Sequence, residues 1–238
     1  AHAIHPLAGQ GWNLALRDAP VETVLIEKSR GPSGRCATRR RDGFAYDHGA
    51  NFIDLSAVAE VRDVFERWVP EDEYALVAGA IWTHDAQGKR SPGRNETQQR
   101  FSLRGGISRL GRHLLDASGA RLLTETRATS VHRAAGGWIV ETDGQETLGP
   151  FDALVLTSPA PQSAALLIDP AQSDLRSALE AVPYRSQFSV VLALARTLPA
   201  HDGIYAYLNT DRAHDVAWLS FESRKPGHVP EGQEALVV

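Results

Sequence analysis

Residues 23–26 form a short apolar run that ends on an acid, Glu27, and a loop carrying Gly31, Gly34 and Arg35 follows at once. An apolar strand with a carboxylate at its C-terminal end is how doubly wound α/β folds hold an adenosine ribose. Glycines let backbone amides approach a pyrophosphate closely, and an arginine neutralises it. The bland reading is a surface turn with a helix-capping acid. Strand, acid, two glycines and arginine together favour a dinucleotide site. In that site Glu27 accepts from the ribose hydroxyls, while amides near Gly34 and the Arg35 guanidinium face the phosphates. Lys28, Ser29, Thr38 and Arg39 lie in the same stretch and complete this side of the candidate cofactor-binding set.

Other motifs are weaker. Gly9-Gln10-Gly11 starts like a GxGxxG fingerprint, but Leu14 stands at the third glycine and only eight residues precede Gly9. A true fingerprint follows a buried strand. Gly9 and Gly11 read better as a helix N-terminus whose amides meet an anion. The run Arg39-Arg40-Arg41 fits a solvated loop and a phosphate contact about equally. Asp47-His48-Gly49 fits a turn with a satisfied histidine, and equally a histidine that hydrogen-bonds beside a redox ring. His2 and His5 have no further ligand nearby, so no metal site is expected. The single cysteine, Cys36, excludes an internal disulfide. It reads as a packing residue in a reducing compartment rather than a catalytic thiol. There is no Gly-x-Ser-x-Gly, P-loop or CxxC motif.

A net charge of -4 gives no general pull toward nucleic acid or an anionic membrane. No apolar stretch approaches the roughly 18 residues needed to span a bilayer, and no secretory signal opens the chain. The expectation is a cytoplasmic protein with a small-molecule substrate. The chain begins without Met and contains none, which suggests a trimmed or partial sequence.

Periodicity predicts helices over 9–19, 57–69, 164–167 and 174–182, and one opening at Gly105-Gly106. Strands are expected over 21–27, 76–83, 121–133, 137–142, 186–196, 203–208 and 215–221, and a buried strand over 152–157. Turns are expected around Gln87-Gly88 and at Asp143-Gly144. A nucleotide-binding start, an inserted helix and β layer, a return to a buried strand and a final antiparallel group describe two interleaved domains.

The stretch from Glu27 to Arg40, with Tyr46-Asp47-His48-Gly49-Ala50, resembles the renalase-like branch of the flavin amine oxidase superfamily. Gly105-Gly106, Val131 with Gly136-Gly137-Trp138, the segment 151–161 and Ser223-Arg224-Lys225-Pro226-Gly227 match in order. The resemblance spans about residues 21–238. It implies a mixed α/β fold of the p-hydroxybenzoate-hydroxylase type: an FAD-binding Rossmann-like domain (1–56 and 105–160) interleaved with an antiparallel-sheet substrate domain (57–104 and 161–238). It implies noncovalent FAD, with Glu27 at the ribose, Gly34 and Arg35 at the pyrophosphate, and Val131 at the adenine through its backbone. Asp47, His48, Gly49 and Ala50 would lie near the isoalloxazine. The implied reaction is hydride transfer from an amine or a reduced nicotinamide-like substrate, with NAD(P)H a possible donor and oxygen reoxidising the flavin. Residues 1–19 instead resemble the late FAD motif of ubiquinone-type aromatic hydroxylases, so an aromatic monooxygenase is one alternative. The family's opening strand and C-terminal flavin motif are missing, so incompleteness at both ends is expected. A truncated flavin-binding protein without turnover is the other alternative.

Overall fold

Apolar alternation places Ile204–Asn209 inside a six-stranded sheet. The strand order is Val191–Leu194, Glu234–Val237, Trp218–Phe221, Ile204–Asn209, Ala80–His84, Arg90–Pro92. Every neighbouring pair is antiparallel except Ile204–Asn209 with Ala80–His84, which run parallel. The computed structural model describes residues 14–56, 59–93, 98–198 and 203–238. The chain divides into two compact units; the six-stranded sheet belongs to the one made of Ser33–Ala117 and Phe188–Val238.

The same unit holds a three-stranded sheet of Ile53–Asp54, Arg100–Leu103 and Tyr74–Leu76. The helix Ala59–Trp68 packs on it through Phe65, whose ring lies 4.7 Å from that of Tyr74. A second helix, Arg109–Ser118, follows Gly105-Gly106, and Ile107, Leu110, Leu114 and Leu115 are buried. Gly106 has φ +117, and a Cβ there would meet Thr38 Cγ2 at 2.2 Å, so only glycine lets the two segments approach this closely.

A hairpin unread in the sequence positions the candidate site. Thr38–Arg41 pairs with Phe44–Asp47 through a turn in which Asp42 and Gly43 both have positive φ. Thr38 stands opposite Asp47, and Arg39 opposite Tyr46. Because side chains alternate along a strand, these two pairs point to opposite faces of the hairpin.

In the other unit, Val24–Ile26 pairs in parallel with Arg121–Leu123. Ala128–Ala134, Gly137–Thr142 and Thr147–Phe151 form an antiparallel sheet, with helices Ala160–Leu166 and Ser173–Glu180. Val131, Val140 and Leu167 form its core, and Ile26, Leu154 and Leu156 pack against them.

Several expectations need correction. The strand expected over 121–133 is two strands in different sheets, broken around Glu125 at φ 52. Residues 152–157 form no strand: Leu154 and Leu156 reach the core, but Val155 is 51% exposed and no neighbouring strand pairs with the segment among the described residues. The expected strand 186–196 shrinks to Val191–Leu194, an edge strand. Pairing runs out at Val190 and Val238, which exchange both backbone hydrogen bonds, and Phe188 is left 93% exposed. The helix expected over 9–19 falls mostly outside the described residues.

Candidate active site

Glu27 caps the parallel pair at its carboxyl end, where its backbone N–H donates to Leu123 O. Its Oε1 accepts from Ser29 N at 2.7 Å and Ser29 Oγ at 2.5 Å, while no hydrogen bond reaches Oε2 among the described residues. The carboxylate is thus held by one oxygen and offers the other, an acceptor that fits a ribose diol. Lys28 Nζ donates to Gln162 Oε1 at 3.0 Å. Val131 is buried and bridges Leu167, and Ile26 beside Glu27 packs on its cluster. Glu27, Lys28, Ser29 and Val131 therefore share one unit. Gly34, Arg35, Thr38, Arg39, Asp47, His48, Gly49 and Ala50 lie in the other. Gly9 and Gly11 lie outside the described residues.

In that other unit two loops zip together. His48 N donates to Ala37 O at 3.1 Å and Ala50 N to Arg35 O at 2.9 Å. A Cβ on Gly49 would sit 2.0 Å from Arg35 O, so this seam requires glycine. Gly34, at φ 50, makes the turn that precedes it. Residues 34–37 and 48–50 thereby lie side by side, with Gly34, Arg35, His48 and Gly49 exposed and Cys36 buried.

The inner face of the hairpin carries Asp47, the buried hub of a charged cluster. Asp47 Oδ1 accepts from Thr38 Oγ1 at 2.6 Å and from Ile107 N at 2.9 Å. Lys225 Nζ lies 3.1 Å from Asp47 Oδ2 and 3.0 Å from Glu222 Oε1. His228 joins Glu222 through Nδ1 at 3.1 Å, and its Nε2 faces Leu103 O at 3.0 Å. Burial alone would lower the Lys225 pKa, but Tyr205, Glu222 and Asp47 outweigh it, so the ammonium is held above its ordinary value. Burial works against the Glu222 carboxylate too, but the Lys225 charge and the His228 hydrogen bond hold it below its ordinary value. Asp47, Glu222 and His228 carry ligand atoms within 4.8 Å of one another, a spacing open to a metal. The Lys225 ammonium already sits between the two carboxylates as their cation. Cys36 is buried nearby, and burial together with Asp47 pushes its thiol up to about 12, which leaves it inert as a nucleophile.

The outer face is open. Arg39, Tyr46 and His48 line a cavity of about 410 Å³ with Ser189 and Val191. Ser189 Oγ donates to His48 O at 3.2 Å, which ties the exposed residues 188–190 to the cavity wall. Sequence reasoning placed Asp47 and His48 together but missed that they point opposite ways. It also missed the Glu222–Lys225–His228 group. Lys225 and Asp47 are 178 residues apart, and the one local signal, a Lys-Pro-Gly turn, says nothing of its partner.

A family model described as flavin-containing amine oxidoreductase matches residues 68–237, and one for an NAD(P)-binding Rossmann-like domain matches residues 8–68. The chain belongs to the flavin-containing amine oxidoreductase family. Among solved structures it is similar to a reduced UDP-galactopyranose mutase, at 12% identity over 98% of this chain and 71% of that one, with TM-score 0.78. It is also similar to a putrescine oxidase bound to putrescine (10% identity, 98% and 73% covered, TM-score 0.67). A third is a CLA-producing fatty acid isomerase from P. acnes (11% identity, 98% and 75% covered, TM-score 0.66). These likenesses are of fold, and the three reactions differ, so the fold does not select the substrate. No helix among the described residues is long and apolar enough to cross a membrane.

Proposed function

We propose that this oxidoreductase takes a hydride from the carbon beside an amine nitrogen or from a ring carbon of a reduced nicotinamide-like substrate. Bound FAD would supply the two-electron acceptor, held noncovalently, with oxygen restoring its oxidised form. NAD(P)H is a candidate donor. Glu27 would hold the ribose, amides near Gly34 with Arg35 the pyrophosphate, and 47–50 the region beside the ring. The observation that carries the reading is the cavity beside His48. Among the described residues its walls hold Arg39, Tyr46, Ser189 and Val191, with no carboxylate and no nucleophile hydrogen-bonded to a base side chain. Hydride transfer needs a positioned substrate and little proton traffic, which such a wall supplies. Arg39 and His48 orient the substrate, Tyr46 offers a hydrogen bond, and Val191 keeps one side apolar.

The test is spectroscopic. The purified chain with FAD is mixed anaerobically with an amine or a dihydronicotinamide. Bleaching of the flavin bands, restored by air with peroxide release, supports the reading. Bound flavin that no donor bleaches contradicts it. A second reading, nucleotide binding without turnover, draws on one observation: among the described residues Val24–Ile26 has a single strand neighbour. It predicts that unbleached result. Hydroxylation of an aromatic ring coupled to NAD(P)H use would instead support the monooxygenase alternative, whose residues 1–13 lie outside the described chain.

A further inference from the structure

The outer wall of the hairpin carries polar groups that nothing among the described residues answers. Tyr46 is 8% exposed, yet its hydroxyl makes no hydrogen bond among the described residues. That hydroxyl is not shut away from solvent either, since the orphaned buried atoms are those of Arg100, His113, Gln172 and Trp218. Tyr46 lines the 410 Å³ cavity. Arg39 stands opposite it across the hairpin and has no carboxylate partner among the described residues. The His48 side chain likewise makes no hydrogen bond there, although its backbone is held at both ends by Ala37 and Ser189. A guanidinium, a phenol and an imidazole thus face one space whose remaining walls are Ser189 and Val191.

A hydroxyl with no protein partner, on a residue that lines a cavity, is open to a ligand acceptor. Here the neighbouring charge is positive, so the missing partner is an acceptor, and an anionic one. The cavity lies at the small end of ligand sites, which suits a single ring or a short acid rather than a dinucleotide. We propose that this cavity binds an oxyanion of the substrate, a carboxylate or a phosphate: Arg39 pairs with it, the Tyr46 hydroxyl donates to it, and Val191 packs against the carbon skeleton. The substrate class is therefore an anionic amine or an anionic reduced heterocycle. This rests on the oxidoreductase reading above for the word substrate, but not for the binding.

Calorimetry with benzoate, phenyl phosphate and benzamide tests it on the FAD-loaded chain and again without FAD. These probes share a ring and differ in the head group. The proposal expects at least one anion to bind tenfold or more tighter than benzamide, with the better of the two naming the oxyanion. Arg39→Gln should erase that preference while leaving benzamide affinity within about twofold. Tyr46→Phe should weaken the anion severalfold without changing the far-ultraviolet spectrum. Equal binding of all three probes, or anion affinity unchanged in Arg39→Gln, overturns it. Loss of anion binding once FAD saturates the chain assigns the oxyanion site to the cofactor, which also overturns it. Flavin bleaching by donors with no anion preference sinks this inference alone. A preference for anions in a chain that no donor bleaches sinks the oxidoreductase reading alone.

Discussion

The two faces of one hairpin behave oppositely. On the inner face Thr38 and Asp47 meet Ile107, Lys225 and Glu222, and each charge has an opposite partner about 3 Å away. On the outer face, one residue along each strand, the Arg39 and Tyr46 side chains have no hydrogen-bond or ion-pair partner among the described residues. Four buried ionisable groups are costly unless paired, so the inner face is a latch joining the hairpin, the start of the helix Arg109–Ser118 and the 222–228 turn. Unanswered groups at a cavity are instead what recognition requires. Strand alternation lets eight residues build both, and it makes neighbours in sequence opposites in role.

Breaking the latch should have the largest effect. Lys225→Met leaves Asp47 and Glu222 buried without their cation and should cost about 3–5 kcal/mol in urea unfolding; a loss under about 1 kcal/mol would mean the cluster is not a latch. Gly49→Ala drives a Cβ into Arg35 O and should cost about 1–3 kcal/mol by forcing the loops apart. The same variant should weaken FAD binding, read by fluorescence quenching.

The pH dependence is smaller and has a fixed sign. Glu222 lies below its ordinary 4.5 in the fold, so its stabilisation is present above that value and fades as pH falls through the folded pKa. Lys225 lies above its ordinary 10.5, so its share is complete below that value and fades only as pH rises through the folded pKa. Stability should therefore form a plateau from about pH 5 to 10, and Glu222→Gln should flatten its acid edge. The smallest effect concerns Cys36. With its thiol pushed up to about 12, a thiol reagent at pH 8 should label it only after unfolding, and labelling of the native chain would contradict its burial.

What could be read from the sequence was local. Val24–Ile26 with Glu27 is a strand and an acid in direct succession, and Leu110 with Leu114 marks a helix by spacing alone. The strand expected over 152–157 failed because an apolar run becomes a strand only where a neighbour can take its hydrogen bonds. The latch was invisible for the same kind of reason: nothing near Lys225 announces Asp47. The hairpin itself was within reach, since Asp42-Gly43 is a turn signal between two strand-length runs.

The most direct test compares two adjacent residues in one urea-denaturation series. Asp47→Asn removes the hub of the inner face and should cost about 3 kcal/mol or more. Tyr46→Phe removes a hydroxyl that makes no hydrogen bond among the described residues and should cost well under about 1 kcal/mol. Equal losses, or a larger loss for Tyr46→Phe, would show that the two faces do not divide stability and recognition between them.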